Sequence, residues 1–158
     1  MRRAKVYPHV TKQIYHPELT TCLTCGSRLR RATSIAQRTV VTLDGVLQVV
    51  HCGYRCPTPD CATATRLYRS MLADSLALPG FTFGLDIVLL VGRLRLAQHQ
   101  TVDEVHHTLQ ERLTPLGTTV SRREILYLFD AYCTLLRASQ SIADDYAWQE
   151  QTRTNGGI

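Results

Sequence analysis

Two pairs of cysteines constrain this chain more than any other feature: Cys22 and Cys25 in Cys22-Leu23-Thr24-Cys25-Gly26, and Cys56 and Cys61 in Cys56-Pro57-Thr58-Pro59-Asp60-Cys61. Each pair lies on a short, turn-prone segment, so two tight turns can converge on one tetrahedral ion. Thiolate sulfur suits zinc, and four thiolates close its coordination shell. A closed shell leaves no position for water or substrate, so the expected Zn2+ is structural rather than hydrolytic. The first pair has the usual spacing of a metal knuckle, with Gly26 easing the backbone beside it, and the second is looser. The competing reading is buried thiols or disulfides, and disulfides require an oxidising compartment. The start Met1-Arg2-Arg3-Ala4-Lys5-Val6-Tyr7-Pro8 carries charge with no apolar run behind it. No stretch approaches the roughly 18 apolar residues of a membrane span. A cytoplasmic, nucleoid-associated setting without membrane contact is expected, and there metal is favoured over disulfide.

The segment between the pairs reads as a β-hairpin. Thr39-Val40-Val41-Thr42-Leu43 and Val46-Leu47-Gln48-Val49-Val50 are β-branched runs flanking Asp44-Gly45. That dipeptide predicts a two-residue turn with φ > 0 at both positions, which makes Asp44 a turn residue and not a catalytic acid. His51 and Cys52 are competent ligands that could displace a cysteine, but they fall on the strand and would have to fold back. Cys52 is therefore read as a core or edge-strand thiol. These features predict a zinc-ribbon domain over residues 22–70. Ahead of it, residues 1–21 show no period and contain Pro8 and Pro17, which predicts an extended arm that orders on binding. Residues 62–80 read as a connector, and Leu78-Pro79-Gly80 marks the domain boundary.

From Phe81 the period becomes helical. Leu85 to Ala97 is apolar nearly all round, with Ile87, Leu90, Val91 and Leu94 on one face and Gly92 open to a close neighbour. Thr101-Val102-Asp103-Glu104 is a capping box opening a second helix with the stripe Val102, Val105, Leu109, Leu113, and Pro115 and Gly117 stop it. Ser121-Arg122-Arg123-Glu124 is a second capping box, with Val120 and Ile125 at staple spacing. The third helix is expected to bury Ile125, Phe129, Tyr132 and Leu136. Three helices with the last pair both capped predict a helix-turn-helix domain over residues 81–138, followed by a helical extension and flexible tail over 139–158. The expected fold class is α+β.

Charge divides unevenly. Residues 1–70 hold eleven Lys/Arg against three acids, a net of +8, while residues 71–158 hold seven against ten, a net of −3. Four thiolates on one divalent ion lower the first figure to +6. A polyanion is the natural partner of such a surface, and no basic amphipathic helix favours a membrane instead. Arg28, Arg30 and Arg31 stand beside the first metal turn and are candidate phosphate contacts. Ser121, Arg122, Arg123 and Tyr127 lie at the start of the third helix, the part of a recognition helix that reaches base edges, where arginine bonds guanine or phosphate. Asp130 weighs against a very basic face there.

His106 and His107 are read as solvated helix positions, His99 as a turn residue and Cys133 as core. Asp144 and Asp145 lack a third acid at useful spacing. With no nucleophile–base pair, phosphate-cradling glycine loop or carboxylate cluster, no catalysis is expected. The alternative is a protein-interaction module or transcriptional regulator, with Leu126, Tyr127 and Trp148 on its docking surface.

Gly53-Tyr54-Arg55-Cys56-Pro57-Thr58-Pro59-Asp60-Cys61, Leu67-Tyr68-Arg69-Ser70, Phe83-Gly84-Leu85-Asp86-Ile87 through Leu96, and Thr101-Val102-Asp103-Glu104-Val105 through Ser121-Arg122-Arg123 are the segments that carry a resemblance. Over about residues 20–138 the chain resembles the N-terminal DNA-binding region of insertion-sequence transposases. The resemblance implies binding of double-stranded DNA at the terminal inverted repeats of a mobile element. In that family a ribonuclease-H-like domain with three metal-binding acids follows, whereas this sequence stops at Thr154-Asn155-Gly156-Gly157-Ile158. The expectation is a truncated or split form with no strand transfer of its own. A homodimer or a separately encoded catalytic domain is left open as a further partner.

Overall fold

Twelve residues with several β-branched members, Arg30–Val41, form strand β2, and Val46–Arg55 form β3, paired antiparallel with Val41 opposite Val46 and Arg30 opposite Arg55. In this computed structural model residues 6–155 are described, and side chains through residue 143. The connection between the strands differs from the two-residue turn expected at Asp44-Gly45. It spans four residues, closed by the Thr42 amide on the Gly45 carbonyl at 2.8 Å, and Asp44 does not adopt positive φ. The Thr42 hydroxyl bonds Gly45 on both sides of the turn, at 2.9 and 3.2 Å, moving the turn centre to Leu43-Asp44. Two bulges, between Arg31 and Thr33 and between Ser34 and Ala36, interrupt the β2 edge.

Thr11–Tyr15 is strand β1, parallel to β3 with Thr11 opposite Leu47 and Tyr15 opposite His51, so the sheet order is β1-β3-β2. The segment expected to be an arm is thus partly built into a sheet, because β3 presents a second edge whose backbone groups need partners. The alternation of a strand puts Leu47, Val49 and His51 on one face, with Val40 and Arg38 of β2 across from the first two. Helix α1 (Met71–Ser75) covers this face: Val40, Val49, Ala73 and Ala77 form one buried cluster, with Tyr15, Leu47 and Leu76 packed around it.

Thr82, Gly84 and Asp86, at the entry to the next helix, bond to the hairpin. The Val41 amide bonds the Thr82 carbonyl at 2.8 Å, the Gly84 amide bonds the Val41 carbonyl at 2.7 Å, and the Leu43 amide bonds the Asp86 carboxylate at 2.7 Å. The chain divides into two compact units: Met1–Ile87 with Arg112–Thr119, and Val88–Glu111 with Val120–Ile158. Arg112–Thr119 joins the first unit where Gly117, at φ 71°, lies against the Pro8 ring so closely that a Cβ would collide with it.

The remaining helices are α2 (Leu85–Leu96), α3 (Val102–Leu113) and α4 (Arg122–Asn155), with a 3-10 turn at Thr114–Leu116. Both capping boxes form: the Glu104 carboxylate accepts the Thr101 amide at 2.6 Å, and the Glu124 carboxylate accepts the Ser121 amide at 2.7 Å. Within the second unit Val88, Val91, Leu94, Val105, Leu109, Val120, Ile125 and Leu128 are buried. Phe129, Tyr132 and Leu136 are only half-buried, and Leu128 takes the central place expected of them. Gly92 touches the face of Tyr132 so closely that a Cβ would overlap the ring. Helix α4 runs for 34 residues, about 51 Å, continuing past residue 138. Residues 1–5 and 156–158, and the side chains of Asp144, Asp145 and Trp148, lie outside those described. The fold is α+β, and no helix among the described residues is long and apolar enough to cross a membrane.

Candidate metal centre

Each cysteine pair is carried by its own closed loop. Around the first, the Leu29 amide bonds the Thr20 carbonyl at 2.9 Å, Thr21 bridges Arg28, and the Cys22 amide bonds the Ser27 carbonyl at 2.8 Å. The Gly26 amide returns to the Cys22 carbonyl at 2.9 Å, with Gly26 at φ 72°. Around the second, Tyr54 and Tyr68 exchange both backbone bonds, at 2.9 and 2.8 Å, and the Cys61 amide bonds the Thr58 carbonyl at 3.2 Å. In both loops a later amide closes the turn on an earlier carbonyl.

The four Sγ atoms of Cys22, Cys25, Cys56 and Cys61 lie within 4.8 Å of one another, with Cys22 to Cys61 at 3.7 Å and Cys25 to Cys56 at 3.4 Å. A tetrahedral ion with metal–sulfur bonds of about 2.3 Å would set its sulfurs about 3.8 Å apart. The observed separations fit, and the cluster can hold a metal ion. His51 and Cys52 are both buried and do not belong to it. Cys22 and Cys56 are buried with Leu29 and Tyr68 in a small apolar cluster, Cys61 is half-buried and Cys25 is exposed.

Hydroxyls surround the sulfurs. Thr63 lies 3.2 Å from Cys22 Sγ and 3.3 Å from Cys61 Sγ, Tyr68 lies 3.7 Å from Cys22 Sγ, and Ser27 and Thr58 face each other at 3.0 Å beside Cys25. These partners were not singled out by spacing, although a Ser or Thr within two residues of each of these four cysteines was the available signal. They have an electrostatic effect. The Thr63 hydroxyl, helped by the Cys25 and Thr24 amides, pulls the Cys22 thiol down to about 5, and the Ser27 hydroxyl and amide bring Cys25 to about 7. The Thr58 amide pulls on Cys56 too, but burial and the neighbouring Cys25 and Cys22 sulfurs outweigh it and raise that thiol to about 11. Four sulfurs this close cannot all ionise together without a cation, and a divalent ion relieves that conflict.

The basic residues expected around the centre are exposed beside it. Arg28 bridges Thr21, Arg31 sits opposite Tyr54 and reaches the Ser34 hydroxyl at 3.5 Å, and Arg30 sits directly opposite Arg55. Ion pairs among the described residues involve Arg69, His107 and Arg122, and none of these four arginines. Ser121, Arg122, Arg123 and Tyr127 are all exposed on the other compact unit, but they are not uncommitted. The Ser121 hydroxyl closes the capping box with Glu124, Arg122 is ion-paired to Asp103, and Arg123 donates to the Tyr127 hydroxyl at 3.0 Å and lies over its ring. His106, expected to be solvated, is instead half-buried, its Nε2 at 2.9 Å from the Val120 carbonyl. The chain finds no match among protein-family models, curated proteins or solved structures.

Proposed function

We propose that this chain is a zinc-stabilised binding module for double-stranded DNA, with no catalytic step of its own. The observation that carries it is the arginine pair at the rim of the thiol cluster. Arg30 and Arg55 are exposed and directly cross-strand, a placement that repulsion disfavours unless an anion relieves it. Arg28 and Arg31 flank them, and the excess of eleven basic over three acidic residues in this half supplies the wider field. Zinc is the ion proposed, because four thiolates with tetrahedral separations close its shell without requiring redox chemistry.

In this reading α3 and α4 act as a helix-turn-helix, with Arg123 and Tyr127 as the groove-facing side chains and Arg122 held back by Asp103. The duplex is that of the transposase resemblance, the terminal repeat of a mobile element. The test is binding-site selection on random duplexes, with zinc measured on the same sample. A defined site should emerge, with affinity falling steeply as salt rises. Arg123→Ala should weaken discrimination by about 1–3 kcal/mol, and Arg122→Ala by less. Absence of duplex binding at low salt would reject the proposal. It would favour a protein-docking role, for which the exposed Leu126 and Tyr127 side chains of α4 are the supporting feature.

A further inference from the structure

Away from the thiols, the sheet face under α1 ends in a recess of about 280 Å3, lined by Arg38, His51, Arg69 and Asp74 among others. The register explains the convergence. Arg38 lies opposite Val49 and Ala36 opposite His51, so Arg38 and His51 rise from the same face of neighbouring strands. Arg69 comes from the segment that enters α1, and Asp74 from α1 itself.

Two of these lining residues carry a buried polar atom with no hydrogen-bond partner: Nδ1 of His51, whose residue is only 4% exposed, and Nε of Arg38. Arg38 is held rigidly, its Nη2 donating to the Ala73 carbonyl at 3.0 Å and the Ala77 carbonyl at 3.3 Å. Unpartnered polar atoms of this kind are rare in a folded interior and call for a polar partner. Charge narrows the choice. Asp74 engages Arg69 through its Nε at 2.9 Å, so two guanidinium groups face one carboxylate that is already paired. Burial lowers the His51 pKa, Asp74 opposes that, and Arg38 and Arg69 reinforce it, so the ring is neutral and can donate from one nitrogen.

We infer that this recess binds a phosphate group, with the Arg38 and Arg69 guanidinium groups and the neutral His51 ring as donors. Three donors arriving from β2, β3 and the entry to α1 suit a tetrahedral oxyanion, which accepts on every side, better than a planar carboxylate. Size sets the class of ligand. The recess has the volume of about nine liquid waters and lies just below the ~300 Å3 where drug-sized pockets begin. It has room for a phosphate group. The inference does not rest on DNA binding.

The test titrates inorganic phosphate into the full-length, metal-loaded chain at constant ionic strength, following the His51 ring and Arg38 Nε resonances. Saturable shifts are expected. Arg69→Gln, at a largely exposed position, should weaken binding about tenfold. Asp74→Asn should strengthen it, because it frees Arg69, whereas a purely structural ion pair would give no gain. No saturable shift, or equal affinity in wild type and both variants, overturns the inference. A second arm distinguishes the source of the phosphate. If Arg69→Gln lowers the salt slope of duplex binding by about one, the group belongs to a nucleic-acid backbone. If phosphate binds but that slope is unchanged or no duplex binds, it belongs to a small phosphorylated molecule.

Discussion

Cys25 and Cys52 show how differently two thiols of one chain are placed. Cys25 is exposed and 3.4 Å from Cys56 Sγ, whereas Cys52 is fully buried on β3 outside the cluster. Cys25→Ser should abolish stoichiometric metal binding, while Cys52→Ala should retain one ion per chain, as read by elemental analysis of the purified proteins. Thr63→Val removes the hydroxyl shared by Cys22 and Cys61 and should lower metal affinity about 10–100-fold in a competition with a coloured chelator. Metal loss from Cys52→Ala alone would mean that the ligand set is different. The clustering of the four cysteines was legible from spacing, because a turn of fixed length limits where a side chain can go. The hydroxyls were not, since Thr63 meets Cys22 across 41 residues.

Helix α1 is a five-residue element that would not persist alone. Ser70 caps it, and Glu18, from the segment read as an arm, accepts from the Ser70 hydroxyl at 2.6 Å, the Met71 amide at 3.0 Å and the Leu72 amide at 3.2 Å. The Ser70 bond and then the Met71 amide hold the Glu18 carboxyl at about 2, against an ordinary 4.5. A folded-state value below the unfolded one stabilises above pH 4.5, and that contribution disappears as pH falls toward 2. Glu18→Gln should therefore be less stable than wild type above pH 4.5, with the two denaturation midpoints converging toward pH 2. A gap that stays constant with pH would show that ionisation of Glu18 is not what anchors α1. In the helical unit, Gly92→Ala forces a methyl into the Tyr132 ring and should cost about 1–3 kcal/mol in urea denaturation, while an exposed control such as Leu96→Ala changes little. The hydrophobic period placed α2 correctly and Gly92 flagged the close neighbour, but only packing identified that neighbour as Tyr132.

At the scale of the whole chain, the two compact units should respond differently to metal removal. The unit holding the thiol cluster has a small apolar core there, Cys22, Leu29, Cys56 and Tyr68, two of whose members belong to the four-sulfur cluster. Ion binding in comparable small sites contributes about 10–16 kcal/mol of apparent free energy. A strong chelator should abolish the amide-exchange protection of Cys22–Leu29 and Tyr54–Tyr68, while α2, α3 and the described part of α4 stay protected. Unchanged protection around the cysteines in metal-free protein would make the cluster a set of ordinary thiols.

The sequence by itself determined the features that depend on near neighbours: the four cysteines on two turns, the capping boxes at Thr101 and Ser121, the β-branched runs and the helical period after Phe81. Local sterics and hydrogen bonds decide those, and they act within a few residues. Tertiary structure alone decided that Thr11–Tyr15 completes a sheet, that Glu18 holds α1, that Arg30 faces Arg55, and that Arg38 and His51 share a recess. Each of these depends on register between distant segments, where a one-residue slip would reverse every side chain, and no local preference encodes that choice.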